Sequence, residues 1–134
     1  MSRLGLQIVN ACLGLITVIL GGASFILGAD SPIYPDEMRS VPSLDSNLRF
    51  FGGLSAGLGL TLIWLTPSIE KHTVLFRAIW LCALAGGIGR LLSAALVGLP
   101  ATPLLVFTII EVPGVPLLIY WQYRVAAVAT HQQA

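Results

Sequence analysis

The sequence predicts an all-α integral membrane protein, a four-helix bundle with both termini on the cytoplasmic side. Of its 134 residues, 56% are hydrophobic and only 10% are charged, whereas a soluble domain carries about 25% charged residues. The mean hydropathy is +0.89, and the apolar residues form four stretches that each reach the roughly 20 residues needed to cross a bilayer. We therefore interpret residues 1–134 as one domain with four membrane-spanning helices.

The first helix is expected at residues 4–28, an apolar run that follows Arg3 and contains no charged residue. The run is longer than the apolar core of a usual signal peptide, which favours a spanning helix over a cleaved leader. An outer loop at residues 29–45 follows it, with three prolines and four acidic residues. This composition is typical of an extramembrane loop.

The remaining helices are expected at residues 46–65, 73–99 and 103–123. Asp45 or Ser46 is placed to cap the N-terminus of the second helix. Pro100 ends the third helix, because proline cannot continue a helix without losing a backbone hydrogen bond. A polar tail follows the fourth helix.

The basic residues indicate which way the chain crosses the membrane. One set of loops and helix ends carries only Arg39 and Arg49. The other set, which includes both termini, carries four basic residues: Arg3, Lys71, Arg77 and Arg124. Because Lys and Arg are enriched in cytoplasmic loops, both termini are expected in the cytoplasm.

Small and polar residues mark the helix faces that are expected to pack, because helices in lipid associate through such residues. On three helices they recur every three or four positions, and the expected packing residues are Asn10, Gly14, Gly53, Gly57, Gly86 and Gly87. These faces fit the interior of one bundle or the seam of a homodimer, for which Gly53 and Gly57 form a GxxxG pair. Stripes on three of the four helices favour the bundle interior.

Two charged residues fall inside predicted spans. Arg90 lies about ten residues before the turn at Pro100 and Glu111 about ten after it, so both lie about 15 Å from that turn in an antiparallel hairpin. An unpaired charge at this depth costs a few kcal/mol or more, so we expect an ion pair. The pair is either a structural link that sets helix register or the polar lining of a cavity. Pro113 and Pro116 follow the acid, so the fourth helix is expected to be kinked or unwound there.

Arg49 extends this candidate site. It is expected either to reach toward the outer headgroups or to face inward, on the same helix face as Gly53. If it faces inward, Arg49 and Arg90 exceed Glu111 by one positive charge unless Asp45 joins them. Such an excess would leave room for an anion. The candidate ligand-binding residues are therefore Asp45, Arg49, Arg90 and Glu111.

Several partners and cofactors are not expected. The formal charge of +1 provides no basic face for nucleic acid. Cys12 and Cys82 stand singly in apolar runs, where we expect them to be buried, and His72 and His131 lie far apart in polar segments. The sequence therefore predicts no metal site and no bound cofactor.

The polar residues within the spans resemble those of a known family. The segments concerned are DSNLRFFGG at 45–53, GLGL at 57–60, GGIGRLLS at 86–93, and Glu111. Together they resemble the bacterial integral-membrane family called domain of unknown function 4345, over nearly the whole chain. More loosely, the chain is similar to DoxX-like four-helix membrane proteins. The first resemblance implies a four-helix bundle in a bacterial inner membrane without an established activity, and the second implies accessory roles linked to redox or quinone chemistry.

Three functions are compatible with these residues. The first is a small binding or accessory protein, alone or in a larger membrane complex, with an outer-leaflet polar cavity for a lipid, a quinone or an amphiphilic anion. The second is a membrane enzyme that uses Glu111 as general acid or base on a lipophilic substrate. The third is a homodimeric transporter, because so short a chain is small for alternating access by itself. We favour the first, since the sequence supplies no second titratable group at the depth of Glu111.

Overall fold

The computed structural model describes residues 2–39 and 41–131. It contains four α-helices: α1 (Arg3–Leu27), α2 (Pro42–Leu65), α3 (Thr73–Leu96) and α4 (Thr102–His131). Short 3-10 turns lie at Gly28–Asp30, Asp36–Met38 and Thr66–Ser68, and the described residues include no β-strand. Each α-helix is long and apolar enough to cross a membrane, which confirms the prediction of an all-α protein with four candidate spans. The side of the membrane on which the termini lie stays a prediction.

Two helix ends differ from the prediction. The second helix begins at Pro42 rather than residue 46, with Val41 in the N-cap position, because proline fits the first turn of a helix without losing a hydrogen bond. Asp45 therefore lies inside α2 and does not cap it. The third helix ends at Leu96 rather than residue 99, and Gly98 follows with a φ of +128°. That backbone conformation is accessible mainly to glycine and stops the helix before Pro100.

The fourth helix is longer than predicted. It continues through Pro113 and Pro116 without unwinding and extends to His131, not residue 123. A proline removes only its own hydrogen bond, and spanning helices tolerate this loss. The segment predicted as a polar tail begins with an alanine-rich stretch, and alanine is the strongest helix former. Its last three positions, 132–134, lie outside the described residues.

The chain forms two compact units. One is Ile8–Thr66, which contains most of α1 and all of α2. The other combines the residues up to Gln7 with those from Pro67 onward, and so contains α3 and α4.

Within the unit Ile8–Thr66, α1 and α2 meet backbone to backbone at two glycine pairs. A Cβ added to Gly21 would lie 2.8 Å from the carbonyl oxygen of Gly52, and one added to Gly52 would lie 2.7 Å from that of Gly21. Gly14 and Gly59 face each other in the same way, at 3.1 Å and 2.7 Å. Any larger residue at these positions would therefore push the helices apart.

The other predicted packing residues of this unit, Asn10, Gly53 and Gly57, differ in how closely the neighbouring helix approaches them. Asn10 is fully buried, and its Nδ2 donates to the carbonyl oxygen of Leu62 at 2.9 Å and to Oγ1 of Thr66 at 2.8 Å. The heavy atoms nearest to a Cβ added at Gly53 belong to the ring of Phe25 of α1, and Gly57 has no heavy atom within 4 Å of an added Cβ. The GxxxG pair is thus not where the two backbones meet, because Gly52 and Gly59 face the backbone of α1.

In the second unit, α3 and α4 are joined by a short loop and pack against each other. Gly87 is buried against Val112 and Glu111 of α4, whereas Gly86 is exposed and has no heavy atom within 4 Å of an added Cβ. Gln122 is fully buried. Its Nε2 donates to Oγ1 of Thr73 at 2.8 Å and to the carbonyl oxygen of Ile69 at 3.3 Å. Its amide thus ties α4 to the start of α3.

Large apolar side chains cover much of the helix surfaces, for example Val74, Leu96 and Leu117, which are 83%, 76% and 66% exposed. Such a surface fits lipid rather than water. Cys12 and Cys82 are also exposed, so the expectation that they are buried is wrong. In lipid an apolar side chain gains little from moving to the interior, and apolar sequence alone therefore does not distinguish the two positions.

Candidate functional site

One charged pair lies near the start of α2, in the unit Ile8–Thr66. Asp45 and Arg49 are one turn apart, and Nε of Arg49 donates to Oδ2 of Asp45 at 2.8 Å. The second carboxylate oxygen, Oδ1, accepts from the backbone N–H of Ala29 at 2.9 Å. Asp45 thus ties the start of α2 to the turn that follows α1.

Arg49 caps the end of α1. Its Nη1 donates to the carbonyl oxygen of Ile26 at 2.6 Å and makes a longer contact to that of Phe25 at 3.4 Å, while Nη2 donates to the carbonyl oxygen of Leu27 at 3.3 Å. The last carbonyl groups of a helix lack partners in the helix and carry partial negative charge, so they suit a guanidinium. All three guanidinium nitrogens of Arg49 are bonded within the unit, and Asp45 joins Arg49, which is the alternative that leaves no excess positive charge.

Gly28 completes this arrangement. Its φ is +59°, the left-handed conformation that commonly ends a helix at glycine. An added Cβ would also overlap the carboxylate of Asp45. The predicted first helix ended at Gly28, where a glycine after an apolar run is a helix stop signal, but the contact of this turn with Asp45 was not predicted. We call Gly28, Ala29, Asp45 and Arg49 the loop clasp.

The second charged pair joins α3 to α4 in the other unit. Nη1 of Arg90 donates to Oε2 of Glu111 at 2.9 Å, which confirms the predicted ion pair. Gly87, one turn before Arg90, allows α4 to approach, since an added Cβ would lie 3.2 Å from Val112 and 3.5 Å from Cβ of Glu111. Among the described residues, this is the only hydrogen bond of either side chain. Nε and Nη2 of Arg90 and Oε1 of Glu111 are thus left available to another molecule.

The four predicted site residues therefore form two neutral pairs, and each pair belongs to a different compact unit. The one-charge excess that favoured an anionic ligand disappears, because Asp45 compensates Arg49 and Glu111 compensates Arg90. The charges of these four residues therefore do not favour an anionic ligand over a neutral one.

A third pair joins Arg3, the first residue of α1, to Glu70 in the turn between α2 and α3. Nε and Nη2 of Arg3 donate to the two carboxylate oxygens of Glu70, each at 3.0 Å, and Nη2 also donates to the carbonyl oxygen of Pro67 at 2.8 Å. Burial raises the pKa of Glu70, but the hydrogen bond and charge of Arg3, the residue's own backbone amide and the charge of Lys71 outweigh it. The pKa of Glu70 thus lies below its usual 4.5.

Metal-ligating side chains do not cluster in the part of the chain that the structure describes: no group of three or more His, Cys, Asp or Glu residues is placed to hold a metal ion. The side chain of His131 lies outside the description.

Four apolar spans that contain arginine–carboxylate pairs define a multi-pass helical membrane protein. The model of the family described as "Domain of unknown function (DUF4345)" matches residues 5–122, so the chain belongs to this family. A search of curated proteins and a search of solved structures each find no match.

Proposed function

We propose that this chain is a small binding or accessory protein of the bacterial inner membrane, with both termini in the cytoplasm, and that it holds an uncharged amphiphile by its polar end. The ligand class is a quinone or the ester region of a lipid. The proposal rests on the single hydrogen bond between Arg90 and Glu111, at 2.9 Å. Their side chains are 40% and 30% exposed, so both remain within reach of a ligand.

The chemistry of the ligand follows from the unused atoms. A polar group without a partner in hydrocarbon costs several kcal/mol. Nε and Nη2 of Arg90 suit a carbonyl oxygen, and Oε1 of Glu111 suits a hydroxyl donor. Because the pair is neutral, a carbonyl compound fits it better than a second anion does. Quinones carry carbonyl groups and quinols carry hydroxyl groups, so either redox form matches one side of the pair.

Two features leave space and polar groups beside the pair. Gly86 lies one turn before Arg90 and Gly114 lies one turn after Glu111, and neither has a heavy atom within 4 Å of an added Cβ. Residues three or four positions apart share a helix face, so each glycine lies next to its charged neighbour. Pro113 and Pro116 also leave two carbonyl groups of α4 without their usual intrahelical donors.

The test compares ligand retention after two matched double substitutions. Arg90→Met with Glu111→Leu removes the pair, and a buried ion pair replaced by apolar residues commonly folds. The control, Asp36→Leu with Arg39→Met, removes a pair in the outer loop whose atoms lie 2.9 Å apart. Native mass spectrometry then follows decylubiquinone and phosphatidylethanolamine added to each detergent-purified, folded variant.

We expect the natural chain and the control to retain at least one of these ligands and the Arg90/Glu111 double variant to lose it. Equal retention by both double variants would make the pair a structural link only. Failure of the natural chain to retain either ligand would also refute the proposal.

A further inference from the structure

Two arginines at the opposite end of the α3–α4 hairpin from its connecting loop have no acidic partner among the residues that the structure describes. Among residues 2–39 and 41–131, no carboxylate lies within 4.0 Å of Arg77 or Arg124. Each lies instead against a tyrosine: Cζ of Arg77 is 5.8 Å from the ring centroid of Tyr123, and Cζ of Arg124 is 6.0 Å from that of Tyr120. Both distances are within the range of a cation–π contact.

The four side chains form one surface. Tyr123 and Arg124 lie three and four positions after Tyr120 on α4, so each is its neighbour on the helix surface, and Arg77 reaches Tyr123 from α3. Nη1 of Arg124 donates to the hydroxyl oxygen of Tyr120 at 3.0 Å. Nε of Arg77 donates to Oε1 of the buried Gln122 at 3.3 Å. We call Arg77, Tyr120, Tyr123 and Arg124 the arginine–tyrosine patch.

The length of α4 places this patch at the level of the lipid headgroups. The helix has 30 residues, about 45 Å, whereas the hydrocarbon core is about 30 Å thick. If Thr102 lies at one edge of that core, roughly 20 residues reach the other edge, and Tyr123 and Arg124 follow immediately. Tyr120 and Tyr123 are 50% and 55% exposed, as expected of aromatic rings at a membrane interface.

We propose that the arginine–tyrosine patch binds the phosphate of an anionic phospholipid headgroup. The patch offers two positive charges that no acid of the described chain neutralises, so an anion is its complement. A lipid fits better than a free anion, because Leu117, an apolar side chain 66% exposed and about one turn nearer the hydrocarbon core on the same helix, continues from the patch. Acyl chains can pack there while the phosphate contacts the arginines. None of these residues belongs to the Arg90–Glu111 pair, so the two proposals are independent.

The experiment measures phosphatidylglycerol and phosphatidylcholine binding to the detergent-purified full chain by native mass spectrometry. Arg77→Gln and Arg124→Gln are tested singly and together. Arg39→Gln is the control, because it removes the same charge from a residue already paired with Asp36 and Asp30. We expect phosphatidylglycerol affinity to fall about fivefold for each patch arginine removed, with phosphatidylcholine binding and the control unchanged.

Two further measurements test the proposal even if the glutamine variants do not fold. The double variant Arg77→Lys with Arg124→Lys keeps the charge and should keep the preference for phosphatidylglycerol. In the natural chain that preference should weaken as salt is raised. A salt-independent preference, an equal loss in Arg39→Gln, or no preference over phosphatidylcholine would overturn the proposal. Competition by inorganic phosphate beyond that of chloride at equal ionic strength would assign the patch to a free anion and would also overturn it.

Discussion

The two arginine–carboxylate pairs inside the spans have nearly the same exposure but different bonding. The side chains of Arg49 and Asp45 are 41% and 32% exposed, and those of Arg90 and Glu111 are 40% and 30% exposed. Burial therefore does not distinguish the pairs. In the loop clasp every charged nitrogen and both carboxylate oxygens have partners in the chain, whereas one hydrogen bond accounts for the whole Arg90–Glu111 pair.

The difference follows from where each pair meets its neighbouring helix. The guanidinium of Arg49, a residue of α2, lies against the C-terminal end of α1, where the last carbonyl groups have no intrahelical donors. Arg90 meets the middle of α4, where most carbonyl groups already accept hydrogen bonds from their own helix. The pair at the helix end thus has its polar atoms hydrogen-bonded within the chain, whereas the pair between mid-helix positions keeps polar atoms available to a ligand.

The largest effect is expected when Glu111 alone is changed. Glu111→Gln leaves Arg90 charged without a partner inside the membrane and should destabilise the protein by about 3 kcal/mol. Adding Arg90→Met, with leucine in place of Glu111, should restore much of that loss. Unfolding of the detergent-purified variants checks this. If the double variant loses as much stability as the two single changes together, the residues are not energetic partners.

A smaller effect is expected from Gly28→Ala. Alanine at a φ of +59° should lower the free energy of unfolding by about 1–2 kcal/mol. Overlap of its Cβ with the carboxylate of Asp45 adds to that loss. Gly22→Ala is the matched control, because an added Cβ there has no heavy atom within 4 Å. The same unfolding measurement should show a lower Tm only for the change at Gly28. Equal Tm values would mean that the clasp does not depend on this glycine.

The sharpest contrast between the pairs lies in the outcome of removing both charges. The double substitution Asp45→Leu with Arg49→Met should stay destabilising. By contrast, Arg90→Met with Glu111→Leu should recover much of the stability that Glu111→Gln loses. The backbone N–H of Ala29 and the end carbonyls of α1 would lose their partners, and apolar side chains cannot replace them. Double-mutant cycles on both pairs measure the contrast. Equal recovery in the two cycles would remove the distinction between a structural pair and an available one.

The smallest expected effect is a change in acid sensitivity when the Arg3–Glu70 pair is removed. Because the pKa of Glu70 is lowered in the folded protein, its contribution to stability is present above the usual pKa near 4.5 and is lost as pH falls through the lower, folded value. Thermal unfolding from pH 6 downward should therefore show a smaller acid-induced loss of Tm in Glu70→Gln than in the natural chain. Parallel pH profiles would contradict this assignment.

The depth of Arg90 and Glu111 was predictable because it depends only on helix rise and on the position of the turn near Pro100. The number of hydrogen bonds between them was not, because it depends on side-chain rotamers. The role of Arg49 was also beyond the sequence pattern. Its partners lie on α1, and nothing in the α2 sequence records how closely the end of α1 approaches.

The packing glycines illustrate the same limit. The pattern identified a glycine-rich face on the second helix but centred it on Gly53 and Gly57 rather than on Gly52 and Gly59. The rotation of a helix about its axis is set by the fit of neighbouring groups, here the ring of Phe25 against Gly53. A rotation of about 100° separates adjacent positions, so small packing preferences decide which glycine faces the partner.

The reciprocal glycine contacts between α1 and α2 affect the entropy of their association. Ordering a long side chain costs up to about 2 kcal/mol of rotamer freedom, and glycine has none to lose. The carbonyl oxygens of Gly52 and Gly14 also lie 2.8 Å and 2.7 Å from where a Cβ of Gly21 and of Gly59 would be, so an α-hydrogen of Gly21 and one of Gly59 point toward an oxygen. Such Cα–H···O contacts contribute about 0.5–1 kcal/mol each. The α1–α2 hairpin thus forms through backbone polarity and without side-chain ordering at these four positions, which suits a solvent where the hydrophobic effect does not drive helices together.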